Sequence, residues 1–589
     1  MEIEQTMKHE PEFVDNERWV YDSSLDRKGK IPLRASTGAW KASIFIIVIE
    51  FGERLSFFGL SMSLMIYLTK VLDKDLKTAA KSVNYWMGVT TLMPLLGGFL
   101  ADSYLGRFQT VLASSVIYLL GMILLTMSRA IPGLKACGKE TCTEPRKTHE
   151  ILFFLAIYMI SIATGGHKPA LESFGADQFD DDHRLEREKK MSFFNWWNSG
   201  LCAGLLLSST VIVYIQEHVG WPAADITLTV VVTFTVVIFL IGRPFYRYRE
   251  PTGSPFTPLV QVLFAAFAKR NVVYRPNIDQ LYEVSKSGKT QSRLLFHTDK
   301  FKFLDKAAII EDENSTEKQN PWRLTTVTKV EEMKLLINMI PIWLTALPFG
   351  VCVSQGNTFF IKQGTTLDRK ITHNFTIPPA SLNAVCSMAI IVTIVIYDKA
   401  LEPFLRKITR KERGITILQR IGIGMSLLAV SMMVAALVEK RRLDLVEKNP
   451  SNGSISMSVF WLAPQYIIIG IADGFGLVGL QEFFYDQMPD SMRSTGIALC
   501  LSVHGAANFL SSLMITLVDR ATEKDGKSWI GKNLNSSRID YFYWSLAGFT
   551  AVNLCAFVII ARKYSYKNVR RATVAVADCY EVDSVETMA

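Results

Sequence analysis

Ile46-Ile47-Val48-Ile49-Glu50-Phe51-Gly52-Glu53-Arg54-Leu55-Ser56-Phe57-Phe58 places three charges inside an apolar stretch that runs from about Trp40 to Leu68. A charge at the centre of a membrane helix costs about 2.5 to 3.5 kcal/mol on the insertion scale, so three facing lipid would cost on the order of 8 to 10 kcal/mol. Spaced i, i+3 and i+4, Glu50, Glu53 and Arg54 share one helical face. That face must look into a polar interior, which points to a path for ions or solutes rather than to a plain anchor.

The rest of the chain supports a membrane reading. Of 589 residues, 49% are hydrophobic and 20% charged, with a mean hydropathy of +0.20. Such a balance requires apolar residues clustered into spans with charged loops between them. About twelve windows are long and apolar enough, near 40–69, 83–102, 108–128, 150–171, 193–216, 225–246, 333–362, 378–398, 416–438, 458–486, 494–518 and 539–562. The polar start, Met1 to Lys30, and the length of the first apolar stretch predict an uncleaved insertion signal. The expected class is therefore an all-α membrane protein of about twelve transmembrane helices in two six-helix halves.

The segments divide as an N-terminal tail (1–39), a first six-helix bundle (40–246), a linker (247–332), a second bundle (333–563) and a C-terminal tail (564–589). An even number of spans puts both termini on one side. That side carries roughly forty Lys and Arg against roughly twenty on the other, which makes the tails and linker cytosolic by the positive-inside rule. Sequons at Asn374, Asn452 and Asn535 fall in loops assigned outside, and Asn314 in the linker. Within the linker, Leu259–Ala268 reads either as a helix lying on the membrane surface or as a buried packing helix.

Two more charges fall deep in spans: Lys168, in Thr164-Gly165-Gly166-His167-Lys168-Pro169, and Asp473, in Gly470-Ile471-Ala472-Asp473-Gly474. Counted back from the span ends at Asp177 and Asp486, they sit roughly 14 Å and 20 Å along the helix. One lies in each half, so a Lys168–Asp473 pair could neutralise both when the halves close. Protonating Asp473, or binding an anion at Lys168, would then favour a different closure; a static packing pair is the other reading. The turn Gly98-Phe99-Leu100-Ala101-Asp102-Ser103-Tyr104-Leu105-Gly106-Arg107 offers Asp102 and Arg107 as gating partners or as plain loop anchors. The halves also echo each other, Asp177-Gln178 ending span 4 and Asp486-Gln487 ending span 10.

Other classes lack residues to stand on. The net charge of +9 has no zinc spacing or aromatic–basic stripe to turn it toward nucleic acid. Gly288-Lys289-Thr290 fails as a phosphate loop because Glu283 occupies the required glycine position. No nucleophile–base–acid set and no metal cluster is visible, so neither an enzyme nor a cofactor is expected. Cys137 and Cys142, in a polar loop, are candidates for a local disulfide. Phe193-Phe194-Asn195-Trp196-Trp197 reads as an interfacial aromatic anchor.

Taken together, Glu50-x-x-Glu53-Arg54, the Gly98–Arg107 turn, Phe174-Gly175-Ala176-Asp177-Gln178-Phe179, Phe193-Phe194-Asn195-Trp196-Trp197 and Gln481-Glu482-Phe483-Phe484-Tyr485-Asp486-Gln487 resemble the plant nitrate/peptide transporter family. That family lies within the proton-coupled oligopeptide transporters of the major facilitator superfamily. The resemblance runs from about Trp40 to Lys563. It implies the major facilitator fold and proton-coupled symport of a small solute such as nitrate, a di- or tripeptide, or another anionic or zwitterionic metabolite. It assigns proton coupling to Glu50, Glu53 and Arg54, and pairing of Lys168 with an acidic residue of span 10. Here that residue is Asp473 where relatives often have the longer Glu. The expected partners are the solute, protons as coupling ion and the bilayer of a plasma or vacuolar membrane; oligomeric state is not legible. Phe57 and Phe58 stand where peptide carriers often have tyrosines, Val353 stands at a position of a known nitrate-binding histidine, and His167 replaces an aliphatic residue. The motif therefore speaks to mechanism more than to cargo. A solute-sensing receptor with little net transport is the competing reading, and the retained intramembrane charges argue against it.

Overall fold

The structure is a computed structural model that describes residues 18–22, 24–131, 144–180, 183–251, 253, 256–271, 281–282, 297–310, 320–372, 375–410, 414–448, 456–488, 493–523, 528–564 and 566. Cys137, Cys142, Asn314, Asn374, Asn452 and the Gly288–Thr290 segment lie outside the described residues.

Among the described residues, twelve helices of 14 or more residues follow one another: α1 Ala39–Ser61, α2 Leu76–Leu100, α3 Arg107–Ala130, α4 Glu144–Ala176, α5 Arg184–Leu207, α6 Trp221–Ile241, α7 Val327–Ser354, α8 Asn383–Ile396, α9 Ile417–Lys448, α10 Ala463–Gln487, α11 Arg493–Thr522 and α12 Ile539–Lys563. Helices dominate because a lipid-embedded backbone must satisfy its own N–H and C=O groups. Among the described residues, ten helices are long and apolar enough to cross a membrane. The other two are α1 and α2, which belong to the same series. The first carries the charges Lys41, Glu50, Glu53 and Arg54, and α2 carries the polar residues Lys77, Lys81 and Asn84.

Two compact units emerge. One comprises the described residues of 18–253, 341–485 and 494–563 and holds α1–α6, α8, α9 and α12, the second half of α7 and nearly all of α10 and α11. In its first half, α4 packs closely on α2 and α3, and α1 on α5 and α6. The α2–α4 approach needs glycine: at Gly97 and at Gly165 a Cβ would collide with the facing backbone or with Met93. In the second half, Gly474 of α10 leaves no room for a Cβ against Thr393 of the helical run following α8's start. Gly165 and Gly474 stand at the same distance before Gln178 and Gln487, so the echo between halves extends to helix packing.

At the end of the bundle opposite the termini the halves are laced together. Lys77 pairs with Asp519 at 2.6 Å, the Asn84 amide donates to Ser511 at 3.0 Å, and Lys362 donates to Thr69 at 3.1 Å. An apolar seam of Met62, Ile66 and Val213 against Ile361 and Ala380, with Phe58 beside it, completes the closure.

The second unit comprises the described residues of 256–340 and 486–493, with Tyr564 and Tyr566. Its Thr257–Ala268 helix buries Val262, Ala265 and Ala266 against Leu304, Ala307, Ala308 and Val330. The helix is thus a packing element on that face, while Leu263, Phe264 and Phe267 of the other face are exposed.

The aromatic run at the start of α5 splits its roles. Phe193 is fully buried 5.6 Å from the Phe179 ring and packs over Gly175, whereas Trp196 is exposed and free to sit at an interface.

Candidate functional site

The α1 charges form one buried cluster. Arg54 Nε lies 3.2 Å from Glu50 Oε1, and the same guanidinium pairs with Glu53. Thr164 of α4 donates its hydroxyl to Glu53 Oε1 at 3.1 Å, and the Tyr118 hydroxyl of α3 reaches the Glu53 carbonyl at 3.4 Å. The guanidinium also lies 5.3 Å from the Phe57 ring centroid, and Phe57 in turn stacks on Trp86 at 5.7 Å. All three charged residues are at most 4% exposed, so their mutual neutralisation is what makes burial tolerable.

His167 completes the cluster. One of its ring nitrogens comes within 4.8 Å of a carboxylate oxygen of Glu50 and of Glu53, and its buried Nδ1 has no hydrogen-bond partner. Two carboxylates and an imidazole can form a metal set in principle. Here the Arg54 guanidinium already engages both carboxylates, so a side-chain cation takes the place a metal would occupy. A second such set, His297, Asp305 and Glu331 in the linker unit, is likewise filled by a cation: Lys334 Nζ donates to Asp305 at 2.7 Å and to Glu331 at 2.8 Å.

Lys168, half-buried on α4, lies in electrostatic reach of Glu50, Glu53 and Arg54. It also feels Glu172, one helical turn further on. From the second half, Cys500 and His504 of α11 feel its charge. Lys168 and Asp473 make no ion pair with each other among the described residues. Asp473 is buried on α10 in reach of Cys386 of α8, with Oδ1 unpartnered. His504 is packed against Phe349, centroids 6.4 Å apart, and its Nε2 is also unpartnered. Sequence reasoning passed over Glu172, although its i, i+4 spacing from Lys168 was the available signal.

Asp102 and Arg107 do meet, at 3.1 Å, and Arg107 reaches on to Asp177 at 2.6 Å. Asp177 also holds Arg249 at 3.5 Å, and Arg249 holds Asp22 at 2.7 Å. Burial pushes the Asp177 carboxyl above its ordinary value, against the pull of the two arginines. For Asp22 burial also acts upward, but bonds from Ser24 and Arg249 outweigh it and hold the carboxyl below its ordinary value. Residues 18–38, read from sequence as part of a tail, are strapped down further by Arg34, which pairs with Asp180 at 2.8 Å and Glu186 at 2.7 Å.

Gln178 ties three elements together. Its amide donates to Arg247 carbonyl oxygen at 3.0 Å and accepts from the Arg247 N–H at 2.8 Å, while its own carbonyl accepts from Ala39 at the start of α1. In the linker unit, Gln487 accepts from the Tyr564 hydroxyl at 3.4 Å, just past α12. Each echoing glutamine thus fixes the end of its helix to the chain following the last helix of its own half.

Two helix sets with internal repetition, buried charges on α1, α4 and α10, and a closed end opposite the termini define a multi-pass membrane transporter. The POT family profile matches residues 108–532. The chain is 60% identical over 561 residues, 95% of its length and 96% of the relative's, to Protein NRT1/PTR FAMILY 5.6 of Arabidopsis thaliana. It is 58% identical over 580 residues, 98% of its length and 96% of the relative's, to Protein NRT1/PTR FAMILY 5.7 of the same plant. An auto-inhibited POT family peptide transporter superposes with a TM-score of 0.64 at 18% identity, over 90% of this chain and 99% of that one. A POT family transporter in complex with 5-aminolevulinic acid superposes with a TM-score of 0.60 at 14% identity, over 89% and 96%. The chain belongs to the POT family, in its plant NRT1/PTR branch, whose members are transporters and not enzymes.

Proposed function

We propose that this chain is a proton-coupled symporter that moves a small anionic or zwitterionic solute by alternating access. The observation that carries the reading is the Arg54 guanidinium shared by Glu50 and Glu53 and bordered by His167. In this reading the two carboxylates exchange protons, and each protonation weakens their hold on Arg54. A released guanidinium can take the anionic end of a solute. Lys168 supplies a second cation facing α11, so a bound anion bridges the two halves.

Asp473 acts in a different step. The halves here are tied at the end opposite the termini, and the Lys168 charge is felt by Cys500 and His504 of α11. Pairing of Lys168 with Asp473 belongs to the alternative closure, in which the termini-side halves of α4 and α10 approach. Asp102, Arg107 and Asp177 gate that same side.

The solute class stays at nitrate, short peptides or another anionic or zwitterionic metabolite. Solved structural neighbours hold 5-aminolevulinic acid, alafosfalin or sulfate, ligands that suit a site with two cations. The termini face the cytosol of a plasma or vacuolar membrane, on the positive-inside argument. The test is uptake by proteoliposomes across a panel of such solutes, with and without an inward proton gradient. Uptake that is saturable but indifferent to the gradient for every transported solute would reject proton coupling.

A further inference from the structure

On the termini side of the first half, a cavity of about 580 Å³ opens between the 26–27 turn, the start of α3 and the chain after α6. Arg27, Arg107, Arg243 and Arg249 line it, against Asp26 and Glu250. Asp26 is occupied: its Oδ1 accepts the N–H groups of Lys28 at 2.7 Å and Lys30 at 2.8 Å. Arg107 and Arg249 share Asp177. Arg27 and Arg243 have no ion-pair partner among the described residues. Arg243 stacks on Phe108, 5.4 Å from the ring centroid, and its Nε is buried without a hydrogen bond. The N-terminus of α3 also opens here, behind Gly106 at φ 79° with no side-chain cap, so unpaired backbone N–H groups add to the positive field.

We propose that this cavity binds a phosphate-bearing anion and that its occupancy regulates the gate. Two guanidiniums without a carboxylate partner among the described residues, one of them stacked on Phe108 and bonded to the Tyr248 hydroxyl, are the groups that recognise phosphate oxygens by paired donors. The volume suits a head group rather than a bare ion. An anion seated there competes with Asp177 for Arg107 and Arg249. It thereby loosens the Asp102–Arg107–Asp177 network and the Asp22 strap together. The phosphate can come from an anionic lipid of the adjoining leaflet or from the aqueous phase. The site is separate from Glu50, Glu53 and Lys168, so its failure would leave the proton-coupling proposal standing.

The test uses the purified full-length protein. One arm titrates inorganic phosphate and follows thermal stabilisation. The other measures lipid retention from vesicles of phosphatidylcholine with or without phosphatidylinositol 4-phosphate. Binding in both arms assigns a site open to soluble phosphate, and binding in the vesicle arm alone assigns a lipid head group. In either case Arg27→Ala with Arg243→Ala binds at least about tenfold more weakly than wild type, and Asp177→Asn about tenfold more tightly because Arg107 and Arg249 are released. The charge-conserving pair Arg27→Lys with Arg243→Lys keeps part of the affinity and controls for folding. Wild-type binding in neither arm would overturn the proposal, as would undiminished binding by the folded double-alanine variant.

Discussion

Arg54→Lys isolates what the guanidinium geometry does, because it keeps the charge and so spares the fold. The native side chain reaches Glu50 through Nε at 3.2 Å and Glu53 through a terminal nitrogen at once. A lysine ammonium is a single point and cannot span both carboxylates from the same backbone position. The variant therefore loses one of two close ion-pair contacts in a site where both carboxylates are buried. A close desolvated charge pair couples by at least about 1.5 kcal/mol, which corresponds to roughly a tenfold or larger change in the proton affinity of the carboxylate left behind. That carboxylate holds its proton more tightly, so its release slows and the pH profile of uptake moves upward. The assay is proton-driven uptake in proteoliposomes over a pH series, beside solute counterflow, which needs no net proton movement. Driven uptake should fall by at least about tenfold while counterflow persists. If Arg54→Lys shows the wild-type rate and pH profile, Arg54 does not control the carboxylates and the reasoning fails.

Lys168→Ala should lower driven uptake at least about tenfold, with Lys168→Arg keeping a measurable part; equal uptake by the alanine variant would remove Lys168 from the mechanism. A Cβ at Gly505 would stand 2.6 Å from Leu92 and 3.2 Å from the Gly88 carbonyl, so Gly505→Val should hold α2 and α11 apart, and thiol labelling of an Asn84→Cys reporter in a cysteine-free background should rise. The Lys77–Asp519 pair is part-exposed and worth only about 0 to 1 kcal/mol, so Lys77→Ala should raise the same labelling by no more than about fivefold, and a larger effect than Gly505→Val would contradict this ranking. Because the folded Asp22 carboxyl lies below its ordinary value, the strap it forms is intact above the ordinary carboxylate range and is lost as pH falls through the lowered folded value. Hydrogen exchange around Asp22 should accelerate in that acid window, and in Asp22→Asn the acid step should shrink to the part carried by Glu186, the Arg34 partner whose carboxyl is also held below its ordinary value.

Much of the architecture was legible because membrane burial leaves strong marks. The cost of a lipid-facing charge put Glu50, Glu53 and Arg54 on an inward face, and hydropathy with loop charge outlined the helices. Partner choice was harder to read. Asp177 was noticed as half of an echo, yet its role as the hinge between Arg107 and Arg249 depends on where the chain after α6 returns, which no local pattern records. The strap at 18–38 has a polar composition that suits a solvated tail, and long-range pairs of Asp22 and Arg34 reveal its docking. Phe193 has the residue type of an interfacial anchor, but its helical phase turns it onto Gly175. Gln178 and Gln487 were a two-residue echo in sequence; in three dimensions each closes its own half.

The opening cluster also constrains the cargo through its charge. When all are ionised, Glu50, Glu53, Arg54, Lys168 and Glu172, which interact electrostatically, leave one negative charge in excess. A single proton on any of the three carboxylates makes the empty site neutral. A monovalent anion entering this low-dielectric space restores the excess, and a second proton is needed before the loaded site can cross neutral. A zwitterion adds no net charge and needs none beyond the first. Under the proposed coupling, His167, within reach of Glu50 and Glu53, is a fourth place to hold that second proton. The proton-to-solute ratio, read from substrate-evoked currents beside tracer flux, thus separates the two cargo classes. His167→Leu should reduce that ratio for an anionic solute and leave it unchanged for a zwitterionic one, and a ratio independent of position 167 for both would exclude the histidine from the relay.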